Sequence, residues 1–184
     1  MADRLRLATP RLVLGLRGFA GFLPSLYCET LKSTPFRPFL RCPWERLAWQ
    51  PLVAGLLRAF PDTTLTLYIA EGLRGAEPQL LSELLGLPAD EIRRATGSER
   101  PGFSTRAIAE MEAAHIQGGL GPRQAKALAA AHPRGPGALG FDPWTPAERV
   151  ELQERYAVDL ETLRGWDRVH LFDPAALVSA KAGS

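Results

Sequence analysis

Two short apolar runs in the first half of the chain have the length and composition of buried β-strands. Residues 12–16 read Leu-Val-Leu-Gly-Leu, and residues 64–70 are rich in leucine and β-branched side chains. Runs of four to eight such residues, bounded by glycine, proline or charge, are typical of strands in a parallel sheet. The first run predicts a strand that is buried on both faces.

Helical patterns separate the two runs. Residues 19–33 gather their large apolar side chains on one side, which predicts an amphipathic helix. The proline-rich residues 34–43 predict a loop. Residues 43–60 form a second amphipathic pattern, which Pro51 should kink or split. Strand, helix and strand in this order predict a crossover connection and a parallel pair of strands.

The chain beyond the second apolar run is predicted to be rich in helices. Helical patterns cover residues 78–85, 104–116 and 122–131, and Pro88 opens a further short helix. Thr145 and Glu148 form a capping box that starts another helix, and residues 169–172 suit a short edge strand. The pattern predicts an α/β fold with a small parallel sheet and a helix-rich C-terminal half.

Chain length and composition fit one globular domain. We expect a flexible arm over residues 1–9, a single α/β domain over 10–172 and a disordered tail over 173–184. No stretch resembles a signal peptide or a membrane span, so a cytoplasmic protein without membrane contact is predicted. Cys28 and Cys42 lack the spacing of metal ligands, and no metal site is predicted.

Charge gives no reason to expect a nucleic-acid partner. The chain has 22 Lys+Arg against 20 Asp+Glu, a net charge of +2. The helices predicted at 104–116 and 122–131 could suggest a helix-turn-helix, but the second carries only Arg123 and Lys126 as cations. We therefore predict no binding of nucleic acid.

The strongest candidate for ligand chemistry is Arg17, which follows the first predicted strand. In open α/β sheets, ligands bind beyond the carboxyl ends of the strands, and a guanidinium fits a phosphate. Ser25 lies eight positions further on, in the predicted helix, where its hydroxyl could reach the same anion. The alternative is that Arg17 is a solvated cap or a salt-bridge partner and that Ser25 is an ordinary helix residue.

Two further residues have more than one interpretation. Glu71 ends the second predicted strand, at the same sheet edge as Arg17. It could orient a basic ligand-binding group, pair with Arg17 or be a surface residue beside a loop. His115 stands alone on its helix with no carboxylate spaced to orient it, which favours a packed residue over a catalytic one.

The order of these features resembles the P-loop sulfotransferase family. Arg17, Ser25 and Tyr27 are similar to that family's 3′-phosphate-binding segment, in which a strand ends in Arg and a Ser follows eight residues later. Trp49, the helical residues that follow it and a strand ending in Glu71 are similar to the next part of such proteins. Residues 141–149 and 156–160 look like the closing helix. The resemblance covers about residues 10–95 well and about 140–172 loosely.

Membership of this family would imply a nucleotide cosubstrate. Sulfotransferases move a sulfuryl group from 3′-phosphoadenosine 5′-phosphosulfate (PAPS) to a hydroxyl or amine, on a three-layer fold of the P-loop NTPase type. The resemblance implies that Arg17 and Ser25 bind the 3′-phosphate. Arg100, in a predicted loop, would add a cationic contact to the nucleotide. The acceptor is unknown, and the bacterial character of the chain suggests a carbohydrate.

Two parts of the family's usual equipment do not match. The P-loop and the catalytic base normally precede the Arg strand, and this chain has sixteen residues before Arg17. Residues 118–123 are glycine-rich but lack the Lys-Ser/Thr ending of a P-loop. We therefore expect the C-terminal part of a sulfotransferase domain, with an exposed sheet edge that the N-terminal arm, a second chain or self-association could cover.

Three interpretations of function stay open on the sequence. The chain could be a sulfotransferase that depends on a P-loop from elsewhere. It could be a noncatalytic protein that binds a nucleotide or anion. It could also be a structural or interaction protein in which Arg17 and Ser25 have no ligand.

Overall fold

Three strands and seven α-helices form the regular structure of the described residues, which are 11–30, 35–40, 46–73, 75–93, 102–135 and 140–174 of a computed structural model. The strands are β1 (Leu12–Leu16), β2 (Leu65–Ile69) and β3 (Val169–Phe172). The helices are α1 (Phe19–Thr30), α2 (Phe36–Phe39), α3 (Gln50–Ala59), α4 (Glu77–Leu85), α5 (Thr105–Gln117), α6 (Pro122–Ala131) and α7 (Pro146–Arg164). A 3₁₀ turn, Ala89–Glu91, lies where Pro88 predicts a short helix.

Contacts divide the chain into two compact units. The sheet unit comprises Met1–Gly18, Ala48–Ala95 and Glu154–Ser184, and the helical unit comprises Phe19–Leu47 and Thr96–Gln153. The predicted arm over 1–9 and nearly all of the predicted tail lie outside the described residues. The expectation of one domain over 10–172 stays a prediction.

The sheet is wholly parallel and has the order β1-β2-β3. Leu14 of β1 is the partner of Leu67 of β2, which in turn is the partner of Leu171 of β3. The α/β class, the small parallel sheet and the edge strand at 169–172 are therefore confirmed. Helices α5, α6 and α7 lie in the C-terminal half, which was predicted to be rich in helices.

One face of the sheet forms the core of the sheet unit. Leu16, Leu65 and Leu67 are fully buried there. Val53 of α3 and Leu163 of α7 complete the buried cluster. The alternate residues of each strand share this face, because successive side chains of a strand point to opposite sides. Helices α3 and α7 therefore pack on a single face of the sheet.

On the opposite face of the sheet, a side chain of β3 contacts α4. His170 alternates with the core residues of β3, and its Nε2 atom lies 2.5 Å from Oε1 of Glu83 on α4. The predicted burial of β1 on both faces is wrong, because Val13, on the side away from the core, is 42% exposed. Among the described strands, β1 is an edge. A strand at an edge has a neighbouring strand on one side only, so part of the Val13 side chain stays uncovered.

Helix α3 begins later than its amphipathic pattern predicts. Residues 46–49 are not α-helical, and Pro51 lies in the first turn rather than at an internal kink. A proline is well tolerated in the first turn because its missing N–H would have no helical partner there. Asp159 of α7 instead accepts hydrogen bonds from the backbone N–H groups of Trp49, at 2.5 Å, and Gln50, at 3.4 Å.

The helical unit has a separate, aromatic core. The ring of Phe36 packs edge-on against Tyr27, with centroids 5.0 Å apart, and against Trp144, at 5.2 Å. Glu112 accepts hydrogen bonds from the Tyr27 hydroxyl at 2.7 Å and from the Phe36 backbone N–H at 2.9 Å. Burial, reinforced by Glu112, raises the pKa of Tyr27. The short helix α2, which contains Phe36, corrects the prediction of a loop over 34–43.

Side chains cap the starts of two helices. The Ser104 hydroxyl accepts a hydrogen bond from the Ala107 N–H at 3.1 Å at the start of α5. At the start of α7, Glu148 Oε2 accepts from the Thr145 N–H at 2.8 Å, and the Glu148 N–H donates to Thr145 Oγ1 at 3.3 Å. The capping box is confirmed. None of the helices in the described part of the chain is both long and apolar enough to cross a bilayer.

Candidate functional site

The three parallel strands end at a common edge of the sheet unit, which we call the carboxyl edge. Arg17 and Gly18 follow β1 there, Glu71 lies just beyond β2, and Asp173 follows β3. This edge is where ligands bind in parallel α/β sheets. The prediction that Arg17 and Glu71 share one edge is confirmed by the parallel pairing of β1 and β2.

Arg17 presents an exposed guanidinium at this edge. Among the described residues of the sheet unit, none forms an ion pair or a side-chain hydrogen bond with it. Its backbone is fixed, since the Arg17 carbonyl oxygen accepts a hydrogen bond from Trp49 Nε1 at 3.1 Å. The side chain therefore has five N–H donors available to an external oxyanion.

Glu71 contacts the backbone next to Arg17 and not the Arg17 guanidinium. Its Oε1 atom accepts a hydrogen bond from the Gly18 N–H at 2.8 Å, and its Oε2 atom lies 3.5 Å from the Tyr156 hydroxyl. The possibility that Glu71 pairs directly with Arg17 is therefore wrong within the described part of the sheet unit. Glu71 instead connects the end of β2 with the turn after β1.

Two side chains of helix α7, Tyr156 and Asp159, contact Glu71 and Trp49 respectively. Tyr156 is half-buried, and burial together with the Glu71 carboxylate raises its pKa, so its phenol stays protonated and donates. Asp159, one turn further along, is 3% exposed and accepts the hydrogen bonds at the start of α3. A buried carboxylate needs such donors to offset its lost hydration.

The exposed Arg17 guanidinium is a group suited to an oxyanion at the carboxyl edge. The described residues that follow the three strands, 17–18, 70–73 and 173–174, include no histidine and no cysteine. No group of three or more His, Cys, Asp or Glu side chains within the described ranges could hold a metal ion. Glu71 already uses the Gly18 N–H, so the Arg17 guanidinium is the group at this edge best suited to an incoming phosphate.

The residues predicted to hold a 3′-phosphate are distributed over different parts of the chain. Arg17 belongs to the sheet unit, whereas Ser25 is an exposed residue of α1 in the helical unit. Arg100 lies outside the described residues. The roles of Ser25 and Arg100 at a phosphate stay predictions.

Sequence reasoning overlooked Trp49, Tyr156 and Asp159 as parts of the site. Both segments that contain them carry the resemblance to sulfotransferases, which was the available signal. Trp49 and Tyr156 lie next to the Arg17–Gly18 turn, and Asp159 contacts the backbone of Trp49, because α3 and α7 pack on the same face of the sheet. Such an arrangement is not visible in local spacing.

Comparisons of the chain with models of protein families, with curated proteins and with solved structures found no match.

Proposed function

We propose that this chain binds a 3′-phosphorylated adenine nucleotide of the PAPS type at the carboxyl edge, with Arg17 as the ligand of the 3′-phosphate. The observation that carries the proposal is the exposed Arg17 guanidinium, which has no ion-pair partner among the described residues of its unit. A guanidinium can donate two parallel hydrogen bonds to a phosphate, a stronger interaction than one between neutral groups. The resemblance of the surrounding segments to sulfotransferases supports the same ligand.

The full proposal is a cytoplasmic sulfotransferase-like protein. Its sheet unit would be part of a three-layer fold of the P-loop type, and the acceptor would be a hydroxyl or amine, for example on a carbohydrate. PAPS would supply the sulfuryl group, while Arg17 would anchor the nucleotide. Ser25 and Arg100 would add contacts to it. Binding of the nucleotide without transfer is the narrower form of the proposal, and it needs only the phosphate site.

Calorimetric titration of adenosine 3′,5′-bisphosphate into the wild type and Arg17→Ala tests this site. We expect the variant to lose about 1.5–3 kcal/mol of binding free energy, the usual contribution of a hydrogen bond to a charged group. Arg58→Ala is the matched control, because Arg58 is an exposed arginine near the opposite end of the sheet, where Arg168 contacts the Phe60 carbonyl. Equal binding by the wild type and Arg17→Ala would contradict the proposal.

Self-association through β1 is a second candidate function for the sheet unit. Among the described strands β1 is an edge, and its five residues include no charge or proline of the kind that normally prevents edge pairing. Val13 is 42% exposed on this strand. We propose that β1 pairs with β1 of a second copy.

A charge on β1 tests this pairing. We expect Val13→Lys to convert a dimer to a monomer in sedimentation velocity. Val158→Lys, at a position on α7 that is 66% exposed, serves as the control and should sediment like the wild type. A wild type that sediments as a monomer at high concentration would exclude the pairing.

A further inference from the structure

One peptide group at the carboxyl edge is held by side chains at both of its polar atoms. In the peptide that joins Arg17 to Gly18, the Arg17 carbonyl oxygen accepts a hydrogen bond from Trp49 Nε1 at 3.1 Å. Its N–H donates to Glu71 Oε1 at 2.8 Å. A peptide group is planar, so fixing its oxygen and its hydrogen fixes the orientation of the whole plane. We call this arrangement the peptide clamp.

Side chains of α7 contact Trp49 and Glu71, the two residues that form the clamp. Asp159 accepts the backbone N–H of Trp49 at 2.5 Å, and the Tyr156 hydroxyl lies 3.5 Å from the second oxygen of Glu71. Positions three apart on a helix lie on the same side, so a single turn of α7 faces both Trp49 and Glu71. The clamp therefore connects the turn after β1 with α3, β2 and α7.

Side chains also lie close to the Cα atom of Gly18. A Cβ atom on Gly18 would lie 3.4 Å from Glu71 Oε1 and 3.4 Å from Cδ1 of Tyr156. The carboxylate and the phenol ring thus lie in van der Waals range of this turn. The backbone from which the Arg17 side chain departs is consequently held on several sides.

We infer that Glu71 and Trp49 are positioning residues, which direct the Arg17 guanidinium toward a phosphate at the carboxyl edge. This inference rests on the proposed function. An exposed arginine loses rotamer freedom when it binds, and a fixed backbone reduces the remaining cost of ordering. Glu71 also excludes the Gly18 N–H from the ligand, so the phosphate is bound by the side chain and not by this backbone amide.

The negative charge of Glu71 makes the inference testable. A positioning role needs an acceptor for the Gly18 N–H, whereas the charge of the carboxylate repels a phosphate. Glu71→Gln keeps an acceptor oxygen and removes the charge, and Glu71→Ala removes both. If Glu71 acts only through its charge, both variants should bind a phosphate more tightly than the wild type.

The experiment is a titration of adenosine 3′,5′-bisphosphate into the wild type, Arg17→Ala, Glu71→Ala, Glu71→Gln and Trp49→Phe. We expect Glu71→Ala and Trp49→Phe to bind about three- to tenfold more weakly. Glu71→Gln should bind at least as tightly as the wild type. Hydrogen exchange of the Gly18 amide, followed by NMR without ligand, should be faster in Glu71→Ala and unchanged in Glu71→Gln.

The outcomes separate the inference from the proposed function. If the wild type does not bind, or if Arg17→Ala binds as well as the wild type, the proposed function fails and the positioning role fails with it. If Arg17→Ala binds weakly while Glu71→Ala and Trp49→Phe bind normally, only the positioning role is overturned. Unchanged exchange of the Gly18 amide in Glu71→Ala would also overturn it, whatever the nucleotide does.

Discussion

At the scale of single residues, Glu148 combines a helix cap with an ion pair in the helical unit. Its Oε1 atom lies 2.6 Å from Arg37 Nη1, and its Oε2 atom accepts from the Thr145 N–H at 2.8 Å. The hydrogen bond from Arg37 and the one from Thr145 lower the pKa of Glu148 to about 2. The ionised form of Glu148 is thus the form that the folded structure stabilises.

The lowered pKa gives a pH-dependent prediction. The folded pKa lies below the ordinary value of 4.5, so the stabilisation is present above pH 4.5 and is lost as the pH falls toward 2. We expect Glu148→Gln to lower the free energy of unfolding by up to about 1 kcal/mol at pH 7, as for a surface ion pair. Near pH 2 the difference from the wild type should become small.

Urea unfolding at several pH values measures this difference. Glu154→Gln, on the same helix at an exposed position, is the matched control and should follow the wild type at each pH. A Glu148→Gln difference that is equal at pH 7 and near pH 2 would show that the carboxylate charge does not contribute.

Side-chain contacts were predictable from the sequence where the two residues lie close together in the chain. The capping box joins Thr145 to Glu148 across three positions, and its spacing alone predicted the contact. Arg17 was recognisable because it ends an apolar run. The partner of the Gly18 N–H is 53 positions away, at Glu71, and spacing carries no information about such a contact.

At the scale of secondary-structure elements, Asp159 determines how α3 begins. This buried carboxylate of α7 accepts the N–H groups of Trp49 and Gln50, which have no partner within the helix. It thereby replaces the capping side chain that Trp49, the residue preceding the helix, does not provide. The start of one helix is thus set by a side chain from another.

Removal of this carboxylate should destabilise the sheet unit. We expect Asp159→Ala to lower the free energy of unfolding by about 1–3 kcal/mol, because it removes the acceptor of the partly buried N–H groups of Trp49 and Gln50. Asp159→Asn, which keeps one acceptor oxygen, should lose less. Chemical unfolding followed by circular dichroism provides the measurement. Asp62→Ala, at an exposed turn, is the control, and a loss as small as that of the control would refute the capping role.

The elements themselves were predictable to different degrees. Strands β1 and β2 and helices α4 to α7 follow apolar periodicity, caps and glycine stops, all of which act locally. The start of α3 was not predictable, since proline suits both a first turn and a kink. The exposure of Val13 depends on the position of β1 at an edge, which a strand's own residues do not specify.

At the scale of the whole molecule, each compact unit combines segments that are distant in the chain. The sheet unit contains β1, β2 and β3. The first described residue of this unit is 11 and the last is 174. Its parallel order follows from helical connections between successive strands, and the sequence pattern predicted this for the first pair. The division into two units depends on contacts between residues that are distant in the chain, and composition and periodicity do not predict such contacts.

The carboxyl edge of this sheet carries the central claim, that Arg17 binds a 3′-phosphate. The most direct measurement is the calorimetric affinity of adenosine 3′,5′-bisphosphate and of adenosine 5′-monophosphate for the wild type and for Arg17→Ala. We expect the wild type to prefer the bisphosphate by about tenfold or more, and Arg17→Ala to lose most of that preference. Equal affinity of the wild type for both ligands, or a preference that persists in Arg17→Ala, would contradict the claim.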